Sequence, residues 1–295
     1  MKSTSKLGRD GRFWGLVMIA PTIIGLMILN IIPFFQTIYM SFSKTKAFGA
    51  YQFCGLENYL EMFRNAEFWK ANWNSLYFCI LTVPVGVFLA LIVAVLLNAK
   101  IKGKTAFRAI FFLPMVVAPA AVAMVWKWIF NSQYGIINSV LGANIGWLTN
   151  SSLVLFTCAI VQIWSNIGYD AVLLLAGLQN VSATLYEAAD LDGAGKVKQF
   201  FSITLPMLTP IIFFNLINQV IGAFQAFNSS YLITGGKPLN TTLYYGVYLY
   251  NKAFNQFEMG YGSAMAWFML LIIAFFTALI FRSSSAWVYY ESEGK

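Results

Sequence analysis

From residue 13 to residue 42 the chain carries no charged side chain, and similar apolar runs recur along its 295 residues. A membrane-spanning helix needs ~20 predominantly apolar residues. The first such helix is expected at 14–35, and further ones at 76–97, 109–130, 153–178, 205–227 and 263–281. The runs are continuous rather than alternating, and each is longer than the ~10-residue strands of a membrane barrel. Composition agrees. Apolar residues make up 59% of the chain and charged residues 10%, against ~45–50% and ~25% in a soluble domain. Such a chain cannot coat a water-facing surface, so the expectation is an all-α integral membrane protein with six transmembrane helices.

The cations orient it. Lys2, Lys6, Arg9 and Arg12 precede the first run, and Lys100, Lys102, Lys104 and Arg108 fill the second connection. By the positive-inside rule both segments are cytoplasmic. Counting crossings then puts 179–204 and the tail 282–295 inside as well, and the uncharged stretch 131–152 outside. The layout expected is a cytoplasmic segment 1–12, a membrane domain 13–281 and a cytoplasmic tail 282–295, with both termini inside. The first run is too long for a signal peptide and has no small-residue cleavage site after it. The connections 43–74 and 229–261, rich in Tyr, Asn and Phe, read equally as an external docking rim or as ordinary interfacial loops.

The net charge of +8 sits in short clusters between apolar runs, which is topology rather than a nucleic-acid surface. There is no histidine, which disfavours bis-histidine haem and His-built zinc sites. Cys54, Cys79 and Cys158 are too scattered for a disulfide framework or a metal cluster. Gly103-Lys104-Thr105 ends like a phosphate-binding loop, but the glycine required five positions earlier is Asn98. Without paired carboxylates in a span or a histidine for a catalytic triad, no catalytic set is legible, and the chain is not expected to be an enzyme.

Polar residues inside spans are costly and tend to face a cavity or a neighbouring helix. Gln162, Asn166 and Tyr169 are spaced i, i+4, i+7 along the fourth helix, and Asn215, Asn218 and Gln219 are spaced i, i+3, i+4 along the fifth. Each set shares one face. Neutral amides that donate and accept, with an aromatic platform, suit a polyhydroxylated ligand. The plainer alternative is interhelical hydrogen bonding, ~0.6 kcal/mol per bond. Gln225 and Asn228 lie nearer the outer end. Asp170 is the only acid in an expected span. It could pair structurally with a basic group of a partner, accept from a ligand hydroxyl, or hold a cationic amino sugar.

The connection 182–204 divides into a short helix ending near Asp190, a turn at Asp192-Gly193, and a second helix entering the membrane at Pro206. Gly193 can take φ > 0 without strain, and by its residues alone such an elbow reads equally as a folding feature or as a docking site. The sequence Tyr186-Glu187-Ala188-Ala189, then Asp192-Gly193-Ala194, then Ile203-Thr204-Leu205-Pro206 resembles the signature Glu-Ala-Ala loop of ABC importer permeases, and more narrowly that of the carbohydrate (maltose-type) permeases. Trp164-Ser165-Asn166-Ile167-Gly168-Tyr169 and Ala176-Gly177-Leu178-Gln179 extend the likeness, as does the turn Gly235-Gly236-Lys237-Pro238. Ser182 stands where that family commonly has proline.

The resemblance implies a permease subunit of an ATP-driven importer in a bacterial or archaeal cytoplasmic membrane, translocating a sugar or oligosaccharide. Tyr186, Glu187, Ala188, Ala189, Asp192, Gly193 and Ala194 would couple to the ATPase, and Gln162, Asn166, Tyr169, Asp170, Asn215, Asn218 and Gln219 would form the substrate path. Implied partners are a second homologous permease, two ABC ATPase subunits that hold ATP and Mg, and an external or periplasmic sugar-binding protein. No cofactor is expected in this chain. The alternatives are a permease for another neutral polar solute, or a subunit of a non-transport membrane complex. A permease for anions would be expected to carry a cation at mid-membrane, and Lys127 lies at the outer end of its helix, where it can snorkel to the interface.

Overall fold

The computed structural model describes residues 4–44, 51–99 and 102–289, with side chains from residue 13 onward. Lys2, Lys100, the last part of the tail (290–295) and the side chains of Lys6, Arg9 and Arg12 therefore lie outside the described part. Within it the chain is mostly helical. In order come α1 (Thr4–Leu26), α2 (Ile32–Ser41), strands β1 (Ser43–Lys44) and β2 (Gln52–Phe53), α3 (Glu57–Arg64), α4 (Ala66–Asn98), α5 (Lys104–Val116) and α6 (Pro119–Ile129). After these come α7 (Ile136–Leu141), α8 (Val154–Asn180), α9 (Ala183–Leu191), α10 (Lys196–Gln199), α11 (Leu205–Phe224), α12 (Asn228–Tyr231), α13 (Tyr245–Tyr250) and α14 (Met259–Trp287).

Among the described residues, five segments are long and apolar enough to cross a bilayer without a break: Phe13–Ser41, Ala66–Asn98, Val154–Asn180, Lys196–Phe224 and Met259–Trp287. The third expected span, 109–130, is not one helix. It is the pair α5 and α6, bent by 100°. The cause is local. Ala118 precedes Pro119, and a residue before proline is driven out of the helical region; Ala118 has ψ 130° and Val117 has ψ 138°. Pro114, inside α5, removes a further backbone donor. Counting that pair once gives six spans.

Other boundaries differ because hydropathy locates the apolar window and caps locate helix ends. α4 starts at Ala66, well before the expected 76, because the Asn65 side chain accepts from the Glu67 amide at 2.8 Å. In two spans a π-turn stands just ahead of a proline: Met27–Ile31 before Pro33, and Phe200–Thr204 before Pro206. Proline removes one donor and crowds the carbonyl four residues back, and that carbonyl lies inside the widened turn both times.

The fold divides into two compact units, residues 1–64 with 250–268, and residues 65–249 with 269–295. In the first, β1 pairs antiparallel with β2, and Asn58 of α3 donates to the backbone carbonyls of Ser41 and Ser43 at 2.9 and 3.0 Å. Lys44 pairs with Glu57, and Lys252 with Glu258 at 3.1 Å.

The second unit contains both candidate regions. α4 packs along α8 through Ala90, Val93, Ala94 and Leu97 against Ala171, Leu174, Leu175 and Leu178, with Leu208 of α11 closing the cluster. At the N-terminal end of α8, Phe78, Val154, Leu155, Cys158 and Tyr244 form another buried group. The 226–249 connection is stapled down: Asn74 donates to the carbonyls of Asn240 and Leu243 at 2.8 and 3.1 Å, and Ser75 accepts from the Tyr245 amide at 2.8 Å. Small residues let helices without a hydrophobic driving force approach closely. Gly168 of α8 lies so near α5 that an added Cβ would collide with the Phe111 carbonyl oxygen.

Replacing Gly168 by Val is therefore expected to destabilise the protein by ~1–3 kcal/mol through overpacking against backbone. Gly222→Ala, where nothing lies within 4 Å, is expected to be silent. Thermal unfolding in detergent checks both.

Candidate functional site

Two places in the second unit carry the residues singled out in the sequence. The first is a polar cluster among α4, α8 and α11. Asp170, 3% exposed, accepts from the Gln219 side-chain amide at 2.8 Å, and its backbone carbonyl accepts from Asn215 at 3.3 Å. Thus α11 is bound to α8 through one carboxylate and two amides. Among the described residues, the partner of the Asp170 carboxylate is a neutral amide, not a basic group. Gln162 and Asn166, two turns and one turn earlier on α8, join Asp170 and Gln219 around a small cavity that Thr82 and Gly86 of α4 complete. Its volume of about 10 Å³ is close to the space of one water.

Gln162 and Asn166 also form the wall of a larger cavity of about 190 Å³ at the bend between α5 and α6. Asn215 is fully buried and lines neither cavity; its Oδ1 has no hydrogen-bond partner among the described residues. Asn218 donates to its own helix at the Phe214 carbonyl, 3.0 Å, and is half-buried. Tyr169 is 38% exposed and lines neither cavity. Consecutive helical residues point ~100° apart, so where Asp170 faces α11, Tyr169 does not. The structure therefore brings Gln162, Asn166, Asp170 and Gln219 around one cavity, ties Asn215 to the Asp170 backbone behind it, and leaves Tyr169 and Asn218 apart.

Several polar residues of these cavities escaped the sequence reading: Thr82, Ser165 and Ser229. Single small hydroxyls in apolar segments give no periodic signal. Pro114 and Pro119 were the available clue to the bend that opens the larger cavity. Asn228 lines that larger cavity, whereas Gln225 does not. Lys127 is exposed in the last turn of α6, where a cation suits the helix dipole.

The second place is the elbow. α9 begins at Ser182, whose hydroxyl accepts from the Thr184 amide at 3.3 Å, so serine caps the helix here. It ends in a Schellman turn: the Ala194 amide donates to the Ala189 carbonyl at 2.9 Å and the Gly193 amide to the Asp190 carbonyl at 3.1 Å. Gly193 has φ +72°, a left-handed conformation that glycine adopts without strain. No residue of α9 is buried. Glu187, Ala188, Asp192 and Gly193 are exposed, while Ala189 and Ala194 are partly covered.

Two links hold α9 to the segment that leads into α11. The Tyr186 and Thr204 hydroxyls are hydrogen-bonded at 2.8 Å, and Asp190 accepts from Gln199 at 2.5 Å and Lys196 at 3.2 Å. These donors, Gln199 first and then Lys196, hold the Asp190 carboxyl below its ordinary value. The tie is present above the ordinary carboxylate range and weakens only as pH falls through that lowered value.

This architecture, a bundle of spanning helices with a capped and uncovered helix between two of them, is that of a transport permease. Residues 83–288 match the family of binding-protein-dependent transport system inner membrane components, and the chain belongs to that family. It is an inner-membrane component. It is 40% identical over 302 residues to the probable ABC transporter permease protein YesP of Bacillus subtilis, covering 99% of this chain and 97% of that protein. It is 32% identical to the trehalose/maltose transport system permease protein MalF of Thermococcus litoralis, covering 95% and 96%. These relatives are transport permeases. Among solved structures, a chain of the bacterial alginate ABC transporter in complex with an alginate pentasaccharide-bound periplasmic protein has the same fold. The TM-score is 0.83 at 20% identity, over 96% of this chain and 97% of that one.

A left-handed conformation costs a side chain with a Cβ ~1–2 kcal/mol. Gly193→Val is thus expected to lower amide-exchange protection in the last turn of α9 roughly 5- to 30-fold. Gly193→Asn should be milder, because asparagine tolerates that region better. Hydrogen-exchange mass spectrometry over 183–194 reads the difference.

Proposed function

We propose that this chain is the permease subunit of an ATP-driven importer that passes a sugar or oligosaccharide received from an external binding protein. The observation that carries the reading is the elbow. A helix capped at both ends, with no buried residue, presents Glu187, Ala188 and Gly193 outward between two spans. A membrane protein has little reason to build an uncovered helix so exactingly unless another subunit seats on it. ATP hydrolysis belongs to two partner ATPase subunits that hold ATP and Mg, and a second homologous permease completes the pathway. Both termini and the elbow lie on the cytoplasmic side.

The bonds on either side of the elbow supply a lever. Displacement of α9 is passed through Tyr186–Thr204 and Asp190–Gln199 to the root of α11, and from α11 through Gln219–Asp170 to α8. The substrate then meets Gln162 and Asn166, whose amides have no hydrogen bond to another described residue. Exposed Tyr169 and half-buried Asn218 contribute their faces where the second permease closes the pathway. The names of the relatives support a sugar: trehalose/maltose for MalF of Thermococcus litoralis, and sulfoquinovosyl glycerol for the 34% identical SmoG of Agrobacterium fabrum. A different neutral polar solute is the remaining alternative, and uptake assays with a neutral-sugar panel separate the two.

The decisive assay is the full transporter in proteoliposomes with its binding protein. Glu187→Ala and Gly193→Val are expected to leave membrane insertion intact while uptake and binding-protein-stimulated ATP hydrolysis fall together. Normal coupled uptake by both variants would remove the elbow from the mechanism.

Sidedness is tested separately, by cysteines placed at Ser139 and Ser284. An impermeant thiol reagent is expected to reach the first only from outside and the second only from the cytoplasm. Labelling of the first from the cytoplasm and of the second from outside would mean that α5 and α6 re-enter rather than cross.

A further inference from the structure

The junction of α4, α8 and α11 holds a carboxylate that the described residues only half satisfy. Asp170 lies inside the span Val154–Asn180 and is 3% exposed. Its Oδ2 accepts from the Gln219 amide at 2.8 Å, while its Oδ1 accepts from no described residue. No Lys or Arg lines the adjoining cavity, and no ion pair among the described residues includes Asp170. An ionised carboxylate is strongly disfavoured in a buried place unless it is paired or binds a cation. An acid within a span is therefore a functional site by default.

Oxygen is available from the walls of that cavity. Gln162, Asn166 and Asp170 line it at i, i+4 and i+8 of α8, a spacing that stacks side chains on one face. Thr82 of α4 donates its proton to the Phe78 carbonyl at 2.8 Å, which leaves the lone pairs of its oxygen. The Gln162 and Asn166 side chains make no hydrogen bond to a described residue, so their carbonyl oxygens are uncommitted. Gln219 is held against Gly86, where an added Cβ would lie 2.7 Å from Gln219 Oε1, and its amide nitrogen is the atom that meets Asp170. Carboxylate, amide and hydroxyl oxygens suit hard cations, whereas softer metals take Cys and His; neither is in the lining. One carboxylate balances one positive charge. The volume of about 10 Å³ admits a body about the size of one water.

We propose that this small cavity is a binding site for one alkali cation, sodium or potassium, held by the Asp170 carboxylate with oxygens of Thr82, Gln162 and Asn166. Bound there, the ion neutralises the carboxylate and joins α4 to the α8–α11 pair, which Gln219 and Asn215 already link. The site belongs to the helix junction and is independent of the solute that the importer carries.

The test uses the assembled importer, purified in detergent and equilibrated in choline chloride at constant pH and ionic strength. Equilibrium dialysis against radioactive sodium, and separately against radioactive rubidium as the potassium tracer, counts the ions retained. The unaltered importer is expected to hold one more ion of one of these kinds than Asp170→Asn does. Competition by unlabelled sodium and potassium shows which is preferred. Asparagine keeps an oxygen for the Gln219 amide, so Asp170→Asn is expected to assemble, and the yield of complex checks this. The preferred ion should raise the melting temperature of the unaltered permease by roughly 2–4 °C over choline and leave that of Asp170→Asn unmoved. Thr82→Val, which keeps the side-chain shape, should weaken ion affinity several-fold. Equal retention by the unaltered importer and Asp170→Asn would overturn the proposal, leaving Asp170 protonated or beside a water. Should Asp170→Asn not assemble, Thr82→Val decides, and an unchanged affinity would overturn the site. Displacement of the ion by calcium at lower concentration than by either alkali cation would overturn the single-charge assignment.

Discussion

In hydrocarbon no water is available to satisfy a backbone donor or acceptor, so a spanning chain stays helical except where protein or a cavity covers the interruption. That constraint governs this molecule. α4 and α8 run uninterrupted, and the polar backbone of their cores is internal to each helix. The interruption within the α5–α6 pair, at Val117 and Ala118, borders a cavity with amide and hydroxyl side chains. Irregular backbone and polar side chains occur together because each makes the other tolerable.

The same economy of polar groups sets how the helices are tied. Carboxylates within spans are rare, and Asp170 is placed where the Gln219 amide reaches one oxygen and Asn215 reaches its backbone. Around that junction the packing is by small side chains: Ala90, Ala94 and Ala171 in the buried cluster, and Gly168 against the α5 backbone. Close helix approach and short polar links together give α8 and α11 a defined register. Dispersion between helices and lipid alone would not specify one. The elbow is joined to the same system through Tyr186 and Asp190, so an exposed helix outside the apolar spans is mechanically continuous with the polar centre within them.

Much of this was legible in residue order. Length and hydropathy of the apolar runs defined the class of protein, because ~20 apolar residues have few other uses. Most of the elbow was legible residue by residue: a short helix ending near Asp190, Gly193 as the left-handed stop after it, and Glu187-Ala188-Ala189 within it; that Ser182 caps the helix was seen only in the structure. The family resemblance drawn from that segment is confirmed over residues 83–288.

What residue order did not yield was everything that depends on a neighbour in space. Helical spacing grouped Tyr169 with Gln162 and Asn166, yet it could not say which side of α8 would meet α11 and which would stay open; packing decided that, and it turned Asp170 inward. Asn215 and Gln219 share a face of α11, but only one of them borders a cavity, because α8 covers the other. Ser229, more than sixty positions beyond Gln162, joined the lining of the same cavity with no pattern to announce it. Hydropathy averages over a window and is blind to a single pre-proline residue, so the bend at Ala118 passed as a continuous span. The sequence determined which segments enter the membrane and where the elbow turns. Which polar side chains face one another was decided by tertiary structure alone, since a hydrogen bond between helices depends on the rotation and depth of both.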